Sequence, residues 1–168
     1  MKKIIFLIII PLLIVSCSVF KTVPTQRLQT QFLPSYVKNL YLGMPLEKFE
    51  EIKDMNTMIV EKGISFRHQY EEVVNDDRLE SIVYYFDANI ASQPLYEIIF
   101  IFKLGFDVKS YANEMYGAPS VESHLPFDEW CWQSGEGFQI VAWTFENKLV
   151  IIGTIKKTEW GDLNICGE

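Results

Sequence analysis

Leu95-Tyr96-Glu97-Ile98-Ile99-Phe100-Ile101-Phe102-Lys103 decides the fold of this 168-residue chain. The run is apolar at both parities, so a strand made from it has no face suited to water. It predicts a strand in the middle of a sheet. Upstream, Leu79 to Phe86 is rich in β-branched and aromatic residues and reads as a second strand, preceded by a turn at Asn75-Asp76-Asp77. Ile64-Ser65-Phe66-Arg67-His68-Gln69-Tyr70 alternates and predicts a third. A loop through Asn89, Ser92 and Pro94 leads into the central run.

Downstream the order repeats. Glu129–Gln133, Phe138–Phe145 and Leu149–Lys156 predict three strands, separated by turns at Ser134–Gly137 and Glu146-Asn147-Lys148. A helix precedes each set. Leu46, Phe49, Ile52 and Met55 recur on one face after Gly43-Met44-Pro45, with Glu47, Lys48, Glu50, Glu51 and Lys53 on the other. Pro45 suits a first helical turn, where its missing N–H has no partner in any case. The second helix runs from Asp107, a plausible N-cap, along Val108, Tyr111, Ala112 and Met115, and stops at Gly117 and Pro119. The expected fold is α+β: a tandem αβββ-αβββ, two short helices packed on a mostly antiparallel sheet of about six strands. Residues 35–168 form one domain, with structural half-repeats at 35–104 and 105–168 that share no residue-level identity.

The helix opened by Leu42-Gly43-Met44 and followed by antiparallel strands resembles the SmpA/OmlA small-lipoprotein family. The tandem layout is similar to that of β-lactamase-inhibitor-protein-like domains. Tyr116-Gly117-Ala118-Pro119 resembles the Leu-Gly-x-Pro helix ending of both, while Pro45 stands where Thr or Ser is usual. The resemblance implies a binding or assembly module of the cell envelope. It transfers no functional residue.

The N-terminus bears on location. Met1-Lys2-Lys3 precedes an apolar run from Ile4 to Val15, then Ser16-Cys17. This run is shorter than the roughly 20 residues a membrane-spanning helix needs, and its length fits a removable secretory signal. The layout resembles a bacterial lipoprotein signal, with Ile14-Val15-Ser16-Cys17 as the lipobox over residues 1–16 and 17. Ile14 and Val15 replace the more usual Leu and Ala or Ser. The resemblance implies cleavage before Cys17, a diacylglyceryl thioether on its sulfur and an acyl chain on its new amine. Stable attachment takes two lipid signals, and such a cysteine supplies them. An ordinary signal peptide ending beside a cysteine is the alternative. Ser18, in place of Asp, implies by the same resemblance the outer membrane, with the domain in the periplasm. Residues 17–34 then form the lipidated cysteine and a flexible tether, its Thr- and Gln-rich part spanning roughly 20–25 Å.

Charge excludes some partners. Removing residues 1–16 takes Lys2 and Lys3 from 15 basic side chains and none from 22 acidic ones, so the net charge goes from −7 to −9. Nucleic acid is bound through basic patches that neutralise phosphates, and this chain offers none. The expected partners are the lipid bilayer, through acylated Cys17, and an envelope protein. Acidity serves solubility first and basic partners second.

Cys131 and Cys166 remain, and in an oxidising compartment a leftover pair reads first as a disulfide. Two free thiols, or a reactive Cys131 with His124 as its base, are the alternatives. No Gly-x-Ser-x-Gly elbow, His-Glu-x-x-His, P-loop or Cys-x-x-Cys occurs. Gly135-Glu136-Gly137 reads as a turn, and Asn75-Asp76-Asp77 lacks the spaced ligands of a calcium loop. His68 and His124 have no patterned ligand partner. Asp128 and Glu129, adjacent on an extended segment, point to opposite faces. No enzymatic role, cofactor or metal is expected. Trp130 and Trp132 share one strand face, and Trp143 lies on the following strand. They are the candidate binding surface for a peptide or glycan, or else they are core. The favoured function is a non-catalytic interaction or structural module held at the envelope membrane.

Overall fold

A computed structural model describes residues 30–64, 66–120, 128–133, 138–162, 164 and 166, with the backbone alone at 62–64. After a 3-10 turn at Ser35–Val37 come helix α1 (Leu46–Ile52) and a second 3-10 turn (Met55–Thr57). Strands β1 (Met58–Ile64), β2 (Arg67–Val73), β3 (Leu79–Asp87) and β4 (Leu95–Phe102) follow. Helix α2 (Val108–Tyr116) then leads to β5 (Glu129–Gln133), β6 (Gln139–Phe145) and β7 (Lys148–Gly153). The strands form one sheet in the order β1-β2-β3-β4-β7-β6-β5, every neighbouring pair antiparallel. Two meanders thus meet at their last strands, β4 and β7, paired from Glu97↔Ile152 to Ile101↔Lys148. The mostly antiparallel sheet with short helices is as expected. It has seven strands rather than about six, and the element order is αββββ then αβββ.

The extra strand has a simple origin. The single strand expected over Ile64–Tyr70 is cut by a chain reversal, and Met58–Ile64 and Arg67–Val73 pair as a hairpin. β1 is an edge strand, with Ile59 52% and Val60 39% exposed on its two sides. No apolar face therefore marks it in the sequence. Helix α1 is also shorter than its apolar series. Lys53 is extended (φ −103°, ψ 145°), which passes Met55 into the 3-10 turn.

One side of the sheet carries the main core. The register aligns Tyr70, Tyr84, Ile98, Ile151, Ala142 and Trp130 in a row from β2 to β5. All six are buried. Phe49 of α1 meets this row edge-on, with ring centroids 4.9 Å from Tyr84 and 5.0 Å from Phe86. Helix α2 buries Val108 and Ala112 and sets Tyr111 5.3 Å from Phe102. Asp107 caps it by accepting from the Ser110 N–H at 2.9 Å, and Gly117 ends it at φ 81°. Each large side chain buried here contributes about 1.5–3 kcal/mol. Lys53, just past α1, ties that helix to the sheet through Glu72 at 2.6 Å, and Glu72 also accepts from Tyr84 Oη at 2.7 Å.

Candidate functional site

The opposite side of the sheet has a different cover. Among the described residues no helix packs on it. Beyond β7 the chain turns through Thr158, whose N–H and hydroxyl both donate to Ile155 O at 3.0 and 2.7 Å. It then runs back over the sheet as a strap. Glu159 pairs with Arg67 of β2 and accepts from Tyr96 Oη at 3.4 Å. Trp160 Nε1 donates to Glu97 Oε2 of β4 at 3.4 Å. Asn164 Oδ1 accepts from Gln139 Nε2 of β6 at 2.6 Å, and Cys166 N donates to Gln139 Oε1 at 3.1 Å. Cys166 ends opposite Cys131 of β5 at disulfide-bonding distance, with Cα atoms 5.4 Å apart. Gly161 is required in this turn, because a Cβ there would overlap Ile155 O.

Beneath the strap lies a small second core of Val141, Val150 and Ile152, with Ile99, Cys131, Trp143, Trp160 and Cys166 packed on it. Glu97 is the buried carboxyl of this region, 6% exposed. Burial raises its pKa, and the Trp160 hydrogen bond and the Arg67 charge oppose that rise. Burial likewise holds the Tyr96 phenol well above its usual range. The Arg67 guanidinium lies 5.2 Å from the Tyr85 ring centroid, where cation–π attraction adds to its ion pair.

The strap covers only one end of this face. The register builds a row Ile59–Glu71–Val83–Ile99–Val150–Trp143–Glu129 across all seven strands, and Ile99, Val150 and Trp143 of this row belong to the core under the strap. A further row is Val73–Ser81–Ile101–Lys148–Phe145. Val73 is 65% and Phe145 44% exposed. Ile99, Ile101 and Trp143 are half-buried, while Val83 and Val150 are buried. Val83 is packed into neither core. Glu71 and Glu129 close the apolar stretch on both sides, and neither forms an ion pair among the described residues.

The three tryptophans of the sequence reading therefore do not share a surface. Trp130, 1% exposed, lies in the helix-covered core and donates through Nε1 to Gly117 O at 2.9 Å. Trp132 is on the same side, stacked on Phe32 at 4.0 Å and edge-on to Tyr116 at 5.0 Å. Trp143 is on the strap side, 6.4 Å from Trp160. Only Trp143 remains with the partly open face, now beside Trp160. The signal for Trp160 in the sequence was slight, because its segment has no periodicity.

Of the remaining candidates, His68 faces the helix side opposite Phe86. Its Nδ1 is buried without a hydrogen-bond partner among the described residues. Asp128 pairs with Lys109 of α2 at 3.0 Å, while Glu129 lies on the strap side beside Trp143, so the two carboxyls do diverge. Cys17, His124 and the Gly135-Glu136-Gly137 turn lie outside the described residues. Among the described residues no group of three or more His, Cys, Asp or Glu side chains is placed to hold a metal ion. None of the described helices is long and apolar enough to cross a membrane. No protein-family model, curated protein or solved structure matches the chain.

Proposed function

We propose that the chain is a lipid-anchored protein of the cell envelope, attached through Cys17, whose domain is a non-catalytic protein-interaction or structural module. The observation that carries this reading is the N-terminal order Lys2-Lys3, apolar Ile4–Val15, Ser16-Cys17, followed by a Thr/Gln-rich tether. The partly open apolar sheet face supports the interaction role, since exposed apolar patches mark contact surfaces. In this reading Cys131 and Cys166 are bridged, so neither offers a thiol for chemistry. The domain hangs in the periplasm from the outer membrane, within the reach of its tether.

A peptide or glycan ligand is the second reading. The Trp143 and Trp160 pair favours it, because both rings are half-exposed on the strap side. Tryptophan fluorescence titrated with cell-wall glycans and peptides distinguishes the two readings. A saturable change supports the ligand reading, and unchanged emission across the panel removes it.

Metabolic labelling with palmitate tests the anchor. The parent chain should carry the label and sediment with membranes, and the Cys17→Ala chain should carry none and lose its membrane retention. An unlabelled parent chain contradicts the proposal.

A further inference from the structure

We infer that one end of the sheet rests on the surface of a phospholipid bilayer, with Leu104, Phe145 and Val73 entering the headgroup region and Lys103 and Lys148 meeting lipid phosphates. The inference rests on the lipid-anchor reading above and assigns the end of the domain that faces the membrane.

Three connecting segments meet at this end, and hydrogen bonds hold them together. Lys103 N donates to Arg78 O at 2.8 Å, joining the segment after β4 to the β2–β3 turn. Phe102 N donates to Asn147 O at 2.8 Å and Asn147 Nδ2 to Phe102 O at 2.6 Å, which adds the β6–β7 turn. Large apolar side chains stand out from it: Leu104 is 92% exposed, Val73 65% and Phe145 44%. Leu104 precedes Gly105, which turns the chain at φ 86°, and a Cβ on Gly105 would meet nothing within 4 Å. A leucine held in water forgoes about 1.5–3 kcal/mol of burial, and an acyl boundary supplies that burial.

Charge and shape then select the occupant. Arg78, Lys103 and Lys148 balance Asp76, Asp77 and Glu146, so this end is neutral on a chain of net charge −7. It approaches anionic headgroups without the repulsion a net acidic surface meets. Asp76 is held inside its own turn, accepting from the Arg78 and Leu79 N–H groups at 2.8 and 3.1 Å. Lys103 and Lys148 pair with no carboxylate among the described residues. A lysine beside apolar side chains lays its stem among them and extends its ammonium to a phosphate. The apolar groups project from separate segments, and a fluid lipid surface yields to projections where a protein needs matching hollows.

The anchor is within reach. The described chain starts at Thr30, 13 positions after Cys17, with Phe32 stacked on Trp132. Trp132 pairs with Ile140, five residues along β6 from Phe145, or about 17 Å at 3.4 Å per residue. A 13-residue coil has an r.m.s. span of about 20 Å, so the acyl chains and this end can meet one surface.

The full acylated chain, in vesicles of phosphatidylethanolamine and phosphatidylglycerol with brominated acyl chains, tests this. A fluorescent acetylnaphthyl amino acid replaces Leu104, Phe145, or, as the control, exposed Ala91 in the β3–β4 loop at the opposite end of the sheet. Emission should shift to the blue and be quenched by bromine at 104 and 145, and be unchanged at 91. With the probe at 145, Leu104→Asp, or Lys103→Glu with Lys148→Glu, should abolish the quenching at an unchanged melting temperature, and Leu104→Ile should keep it.

A chain that sediments with the vesicles yet is unquenched at 104 and 145 overturns the inference and leaves the anchor standing. Equal quenching at 91, or quenching at 145 indifferent to these substitutions, overturns it as well. A shift at 104 and 145 in native membranes but not in lipid vesicles gives this end to a protein instead. A chain that fails to sediment with the vesicles removes both the anchor and the contact.

Discussion

The two sides of the sheet are built from the same strands yet closed by different means. On one side, α1, α2 and the 33–46 segment bury a continuous row of residues from Tyr70 to Trp130. On the other, an irregular C-terminal strap holds down one end through polar contacts and the Cys131–Cys166 pair, and Val73 and Phe145 at the far end are left exposed. The first side is where stability resides. The second is thinly closed, and thin closure is what a contact surface needs, because a fully packed face has nothing left to offer a partner.

The contrast can be broken most forcefully at its buried end. Trp130→Ala should cost about 3–5 kcal/mol in urea unfolding, through lost burial and a cavity beside Tyr116. A cost below about 1 kcal/mol would mean that the helix side is not the structural side. Cys166→Ala removes the tie that closes a 35-residue separation and should cost about 2–4 kcal/mol. It should also shift Trp160 emission to the red while leaving Trp130 shielded. If stability and emission are both unchanged under oxidising conditions, the strap is not held by a bridge.

Glu97 sharpens the comparison through pH. Burial raises its carboxyl above the ordinary range, so the folded chain holds this proton more tightly than the unfolded chain does. Its contribution to stability is therefore full below the unfolded value and is lost as pH rises through the folded value. Glu97→Gln should gain in melting temperature relative to the parent over the window that opens at the ordinary carboxylate range and extends upward in pH. A constant difference over that window would place the carboxyl in water instead. The smallest effect is expected at the open end, where Phe145→Ser should change stability by no more than about 0.5 kcal/mol. A larger loss would show Phe145 to be core.

The helix side was the more legible of the two. Leu95–Lys103, apolar at both parities, does become the central strand β4, and Asp107 and Gly117 do bound α2. Period and capping are local properties, and short sequence windows carry them. β1 was missed because an edge strand with Ile59 and Val60 exposed on opposite sides has no alternation to read. The strap was missed for a related reason. Residues 154–166 have no period, and their course is set by partners such as Arg67, which is 92 positions from Glu159. Parity placed Trp130 and Trp132 on one face, yet only tertiary packing decides which face the helices cover. Trp143 fell on the other.

The most direct test of this two-sided account is hydroxyl-radical footprinting of the full chain, once in intact cell envelopes and once purified in detergent. Val73 and Phe145 should be labelled in the purified protein and protected in the envelope, where the partner is present, while Trp130 stays unlabelled in both. Equal labelling of Val73 and Phe145 in the two settings would contradict it, because the open face would then meet nothing in its own membrane.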